Sequence, residues 1–377
     1  MILSDDQQML REAAAGFLSE KAPVSALRAL RDKGEDKGFD PDLWQEMAQM
    51  GWAGIIVPED AGGAEFGLVG GGLIAMEMGR HLTASPFFST AIVAASGVSA
   101  FGNDAQKSDL LPAIAAGELL MALAVDEGRK HAPAKTAMVA HRSGNGFSLS
   151  GAKTFVVDGA QADKLIVAAR TGGDAGEQNG ITLFIVDANA KGVSRTAKAM
   201  VDSRASAEIH FDAVDVEADA VLGRVDAGWE PLSHMLNAGR AILSAEMSGS
   251  AATAFAMALD YLAQRKQFGT NLSAFQALQH RAAHLHTEIA MAEAASFAAL
   301  AALDARAEDA PRKTAVAKAK ASQVSLLAAQ EGLQMHGGMG MTDAFDIGFY
   351  LKRAKVAGEL FGDASFHGEA LARDLGF

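Results

Sequence analysis

Two separated stretches hold the residues best suited to grip a charged, planar ligand. Arg265-Lys-Gln-Phe-Gly269 is followed closely by Phe275-Gln276, and far downstream stands Gln334-Met-His-Gly-Gly-Met-Gly340. Arg265 offers a planar fork of N–H donors that matches a pyrophosphate. Phe268 offers a ring to cover a purine. Gln276 and Gln334 offer amides to a ribose, phosphate or carbonyl. Gly337 and Gly338 allow backbone to approach a ligand closely. Each feature also has a plain local reading: an Arg beside a helix-ending Gly is a C-cap arrangement, and Gly-Gly after a helix is a turn. Spacing alone leaves both readings open.

Other chemistries find less support. Gly62 and Gly67 have P-loop spacing, but Leu68 stands where a Lys is required. No G-x-G-x-x-G follows a strand-like run, and no G-x-S-x-G elbow is present. His280 and His284 lie one helical turn apart with His286 nearby, but without the His-Glu-x-x-His pattern they read as a polar helix face rather than a metal site. The absence of Cys excludes disulfides, thiolate catalysis and Cys-ligated metal.

The elements that must position these residues divide the chain into three. Ser4 with Gln7 forms a capping box before an apolar pattern at Leu10, Ala14, Phe17 and Leu18. Helical segments then follow over 42–50, roughly 70–80, and 87–100, so residues 1–118 read as an N-terminal α-helical domain. Between about 119 and 225 the texture becomes β-like. Runs at 147–150, 154–157, 164–169, 181–186 and 207–211 are separated by turn residues, which predicts a middle antiparallel β domain, a barrel or sandwich. From 226 to 377 long helical patterns over 232–265, 274–306 and 314–335, with Pro311 marking the last break, predict a C-terminal four-helix-bundle domain. The fold class is α+β.

With these motifs in order, the sequence resembles the acyl-CoA dehydrogenase family over essentially its whole length. The resemblance rests on Arg-x-Gln-Phe-Gly at 265–269, Phe275-Gln276, Gln-x-x-Gly-Gly-x-Gly at 334–340, Val57-Pro-Glu-Asp-Ala-Gly-Gly63, and the run 202–211. It implies an FAD bound between subunits of a tetramer. Arg265, Phe268 and Gln276 would meet a neighbour's cofactor, and Gln334, Gly337 and Gly338 would complete the adenine and pyrophosphate site. It also implies α,β-dehydrogenation of an acyl-CoA thioester, in which a carboxylate takes the α-proton. Electron-transfer flavoprotein would then be the electron acceptor, and fatty-acid or steroid side-chain β-oxidation the setting.

Here the sequence departs from the family. The Glu of the Tyr-Glu-Gly-Thr motif aligns with Phe361, in Leu360-Phe-Gly-Asp363, and phenylalanine accepts no proton. A second family location for the base, the residue before an Arg on the preceding long helix, is Gly239 before Arg240. On the flavin side, Asp126-Glu-Gly-Arg-Lys-His131 replaces Thr-Glu-Pro-x-Ala-Gly-Ser-Asp. Lys153-Thr-Phe-Val-Val-Asp-Gly159 keeps Phe155 for stacking but has Val157 where a Thr would hydrogen-bond. The adenine end thus reads as intact and the redox end as altered.

Glu246, seven residues beyond Gly239 on the same helical face and about 10 Å along the axis, is one replacement carboxylate. Glu359 and Asp363 flank Phe361. Each of the three also reads as a capping or surface carboxylate. The pattern is most similar to pimeloyl-CoA dehydrogenase small-subunit chains, partner subunits of two-gene enzymes. The first expectation is therefore a base-lacking subunit in a heterotetramer with a homologue. Alternatives are a homo-oligomeric dehydrogenase using Glu246, or a flavin monooxygenase or oxidase on the same fold. A balance of 33 Lys+Arg against 46 Asp+Glu argues against a nucleic-acid or anionic-membrane partner. With no signal-peptide pattern and no apolar run read as long enough to span a bilayer, the expectation is a cytoplasmic protein.

Overall fold

The computed structural model describes residues 2–34 and 38–377. Helix α1 (Asp5–Lys21) starts at the expected capping box, with Ser4 Oγ accepting from the Gln7 N–H and Gln7 Oε1 accepting from the Ser4 N–H. Next come α2 (Val24–Lys33), α3 (Pro41–Gln49) and α4 (Gly67–His81). Pro41 belongs to α3 itself, in the first turn, where its missing N–H has no intrahelical role. Residues Phe87–Ala94 wind as a fully buried π-helix that runs into α5 (Ala95–Phe101), and α6 (Asp104–Ala115) follows.

The strands are β1 (Met121–Ala124), β2 (Val139–Ser143), β3 (Gly146–Val157), β4 (Lys164–Arg170), β5 (Ile181–Asp187), β6 (Val193–Ala199), β7 (Ala205–Val216) and β8 (Val221–Leu222). The runs expected at 147–150 and 154–157 are one strand, β3, whose pairing with β7 slips twice, between Leu149 and Gly151 and between Lys153 and Val156. Four of these strands, β1, β2, β6 and β8, lie outside the runs read from the sequence, and two of them escaped for opposite reasons. Strand β1 is buried at every position and so shows no alternation, whereas β6 is a polar edge strand with no apolar face.

The C-terminal part comprises α7 (Trp229–Gln264), a short hairpin of β9 (Lys266–Gln267) and β10 (Thr270–Asn271), α8 (Gln276–Asp304), α9 (Ala310–His336), α10 (Ile347–Glu359) and α11 (Ala364–Asp374). Pro311 sits in the first turn of α9, directly after the expected break between α8 and α9. The sequence reading found no run long enough to span a bilayer, and α7 corrects it. By length and composition this helix qualifies, yet 67% of its most apolar window is buried within the protein, as in a core helix.

The chain divides into two compact units, residues 1–29, 72–83 and 240–377 in one, and 30–71 and 84–239 in the other. The second unit is built on an eight-stranded sheet in the order β6-β7-β3-β2-β4-β5-β8, with β1 added in parallel along β4. The ladders on either side of β3 and between β4 and β5 are antiparallel. One face is filled by Phe147, Leu149, Leu165, Phe184, Ile209 and their neighbours, and the rings of Phe147 and Phe184 meet edge to face at 5.1 Å.

In the first unit α8, α10 and α11 all pack on α9. The α4 portion of this unit touches α7 backbone to backbone. A Cβ on Gly79 would stand 2.0 Å from the Glu246 carbonyl oxygen, so no larger residue fits there.

Candidate functional site

The first unit gathers the six residues expected at the adenine end onto one end of its helix bundle. Helix α7 stops at Gln264, α8 begins at Gln276, and α9 stops at His336. What ties these ends together is apolar and aromatic. Ala258, Leu262 and Met335 form a buried cluster closed by Leu272 and Leu278, and the Tyr261 ring stacks on His336 at 4.5 Å. The buried His336 ring is oriented through Nδ1, 2.7 Å from the Gly332 carbonyl oxygen, and Phe345 packs edge-on against both rings.

On this platform the hairpin after α7 turns through Phe268 (φ +54°) and Gly269 (φ +83°). A two-residue loop with both φ values positive is a type I′ turn, which favours Asn-Gly or Gly-Gly. Holding a Phe there costs about 1–2 kcal/mol, and the side chain is 90% exposed. Within the chain the ring meets only the Phe275 ring among the described aromatic groups, edge to face at 6.1 Å, and an unfavourable backbone carrying so exposed a ring is understandable as a ligand contact.

Arg265, Gln276 and Gln334 are exposed as well, and among the described residues their side chains make no hydrogen bond or ion pair. Gly337 (φ +59°) and Gly338 are exposed, with nothing within 4 Å of where a Cβ would stand. A fork of donors, two free amides, an open glycine pair and a bare ring fit the adenosine and pyrophosphate of a dinucleotide.

The Phe361 turn lies in the same unit, between the end of α10 and the start of α11. Phe361 is buried in the left-handed region (φ +56°) and Gly362 follows at φ +105°. Asp363 is the N-cap of α11, its Oδ1 accepting from the Phe366 N–H at 2.7 Å. Two cations reach the turn's backbone. Arg240 Nε donates to the Phe361 carbonyl at 3.0 Å, with its guanidinium 5.5 Å from the Phe366 ring centre. Lys318 Nζ, on α9, lies 3.0 Å from the carbonyl oxygens of both Gly358 and Gly362. The turn therefore persists by its backbone contacts, with no proton acceptor at residue 361. Gly239, the other expected position, is buried on α7 and likewise bears no acceptor.

Glu246 is a buried partner of Arg353 on α10, its Oε1 3.0 Å from a guanidinium nitrogen, with both side chains less than a tenth exposed. This arrangement satisfies a carboxylate inside a bundle. Glu359 is exposed. On α8, His280, His284 and His286 are exposed, and among the described residues no group of three His, Cys, Asp or Glu side chains could hold a metal.

In the second unit the segment after β1 is occupied by its own ion pairs. Lys153 is wholly buried, donating to Glu127 at 2.6 Å and to the Val125 carbonyl at 3.1 Å. Burial pushes this ammonium below the usual lysine range, and Glu127 opposes the shift. Glu127 also accepts from the N–H groups of Ala137 and Met138. His131 Nδ1 lies 2.9 and 3.0 Å from the two Asp126 oxygens. The Asp126 carbonyl accepts from Thr154 N–H at 2.8 Å, at the bulge where Phe155 (φ +52°) swings out, half exposed. Val157 is buried.

Sequence reasoning singled out neither Lys318 nor Arg353. A signal existed for Lys318, since it falls on the stripe Thr314, Ala317, Ala321 and Ser325, the buried face of α9, where a solvated lysine does not belong.

Three family profiles match the chain. They are described as acyl-CoA dehydrogenase N-terminal domain over residues 4–118, middle domain over 125–214, and C-terminal domain over 226–376. An acyl-CoA dehydrogenase of Bacillus subtilis is 30% identical, covering 94% of each chain. Acyl-CoA dehydrogenase FadE12 of Mycobacterium tuberculosis is 29% identical over 94% of this chain and 92% of its own. Among solved structures, a variant of the Tcur3481-Tcur3483 steroid ACAD superposes with a TM-score of 0.89 at 29% identity, covering 98% of both chains.

Proposed function

This chain belongs to the acyl-CoA dehydrogenase family, oxidoreductases acting on CH–CH groups, and on that premise we propose that it is an FAD-binding subunit without a base of its own, working beside a homologous subunit that carries one. The observation that carries the reading is Phe361, a buried apolar side chain at the family's base position, in a turn whose backbone is otherwise held by Arg240 and Lys318.

When bound, FAD supplies the acceptor for the hydride that leaves the β-carbon of an acyl-CoA. Arg265 and the amides of Gln276 and Gln334 would hold its pyrophosphate and adenosine, Phe268 would cover the purine, and Gly337-Gly338 would admit the close approach of backbone. Residue 361 presents an apolar surface that takes no proton. Glu127 and Asp126 are spent on Lys153 and His131, so the β unit offers Phe155 as its main contact for a flavin ring. These features support a chain that completes a neighbour's cofactor site while the α-proton goes to a group on that neighbour.

Two-gene architecture in a relative is consistent with this reading, since the Tcur3481-Tcur3483 steroid ACAD carries two gene designations. The pimeloyl-CoA dehydrogenase small subunits noted in the sequence fit the same scheme, with electron-transfer flavoprotein as acceptor. The reading is tested by co-purifying the chain with a homologue that retains the Glu. A yellow complex with one FAD per pair of unlike subunits is expected. A colourless mixture of separate proteins contradicts it.

A further inference from the structure

Asp343 and Asp346 flank Phe345 in the loop that joins the short 3₁₀ helix Gly337–Met341 to α10, and both turn to one residue far upstream. Arg28, on α2, spreads its guanidinium between them, Nη1 donating to Asp343 Oδ2 at 2.6 Å and Nη2 to Asp346 Oδ1 at 2.7 Å. The same guanidinium lies 4.8 Å from the centre of the buried Phe349 ring. An isolated exposed ion pair contributes little. Here one planar fork joins two carboxylates, and the Arg28 side chain is only 25% exposed. Asp346 is also the N-cap residue of α10, yet its carboxylate caps no N–H of that helix and faces Arg28 instead.

Backbone bonds and packing hold this loop loosely. The Phe345 N–H reaches the Thr342 carbonyl only at 3.5 Å. A groove of about 270 Å³ opens beside the loop, lined by Leu333, Met341, Thr342, Phe345, Phe349 and Lys352, so these groups lack packing partners on one side. Phe345 nevertheless meets His336 at 5.4 Å and Tyr261 at 5.9 Å, the rings that tie the end of α9 to α7.

We propose that Arg28 is a positioning residue for the dinucleotide site. By clamping Asp343 and Asp346 it fixes Phe345, and through Phe345 the His336–Tyr261 stack beside Gln334, Gly337 and Gly338. It acts through the loop and not by contact with the cofactor. The proposal rests on the reading of this end of the bundle as the FAD site.

The test uses the full-length chain in the assembly that holds FAD. In equilibrium dialysis Arg28→Met should bind FAD roughly tenfold more weakly, as expected of a platform formed about a tenth of the time. Phe345→Leu should lose a similar factor, and the double variant no more than either alone, because both act through one contact. Losses that multiply in the double variant would mean that Arg28 does not act through Phe345, and the proposal would fall. A fluorophenylalanine placed at position 345 gives a readout that needs no FAD. Its 19F resonance, displaced by the neighbouring rings, should move towards the unfolded-chain value in Arg28→Met. Asp343→Asn opens one arm of the clamp at an exposed residue and should move it the same way, to a smaller extent, which keeps the test alive if Arg28→Met does not fold. A resonance unmoved in both variants overturns the clamp. If Arg265→Ala weakens FAD and Arg28→Met does not, the proposal falls and the FAD site stands. If neither alters FAD binding, the reading of this end as the FAD site falls, and the proposal with it.

Discussion

Arg240 Nε and the carbonyl oxygen of Phe361 are 3.0 Å apart, so the residue at the family's base position is gripped at its backbone, whatever side chain it carries. A side chain exchanged at 361 should therefore inherit the same turn. In Phe361→Glu the carboxylate should gain the α-proton chemistry the chain lacks. Without its partner but supplied with FAD, this variant should reduce the flavin on acyl-CoA addition roughly 10²–10⁴-fold faster than Phe361→Gln, the usual range for a positioned general base. Stopped-flow absorbance measures it.

Arg265 should dominate the cofactor affinity. Charge-assisted hydrogen bonds are worth about 1.5–3 kcal/mol each, so Arg265→Ala should weaken FAD binding roughly 10- to 150-fold. Equilibrium dialysis of the assembled protein checks this, with the helical circular dichroism unchanged because Arg265 is exposed.

Glu246 should matter for stability. Removing one partner of a buried ion pair costs about 3–5 kcal/mol, so Glu246→Ala should lower the unfolding midpoint sharply. The milder Glu246→Gln, if it folds, should leave flavin reduction in the complex within a few-fold of wild type. Loss of reduction without loss of stability would make Glu246 the base after all.

Lys318 makes a signed prediction for global stability. Its folded value, about 7, lies below the ordinary 10.5, so the unfolded chain binds the extra proton between these limits. Its contribution to stability is complete above the unfolded value and is lost as the pH falls towards the folded one. Urea titrations between neutrality and mild alkalinity should show stability rising by up to roughly 1.4 kcal/mol per pH unit from this group. Lys153 shifts in the same direction, so the signature of Lys318 is the fall in slope on going to Lys318→Met.

What the sequence made legible followed from periodicity and from motifs. The capping box at Ser4, the long helices α7 to α9 and strands β3, β4, β5 and β7 all have patterns that local physics imposes. The wholly buried β1 and the polar edge strand β6 have none. At the site, Phe361 and Gly239 were visible as missing acceptors because a motif surrounds them. The partners Arg353 and Lys318 were not, because a charged residue on a helix ordinarily reads as solvated until its neighbours in space are known. The pairing of Glu246 with Arg353 was hidden for the same reason.

The central claim is that the proton acceptor comes from another subunit. Anaerobic addition of an acyl-CoA panel to the purified chain, alone with FAD and then co-assembled with its Glu-bearing homologue, tests it most directly. The account predicts flavin bleaching only in the assembly. Full bleaching by this chain alone, at a rate matching the assembly, would contradict it.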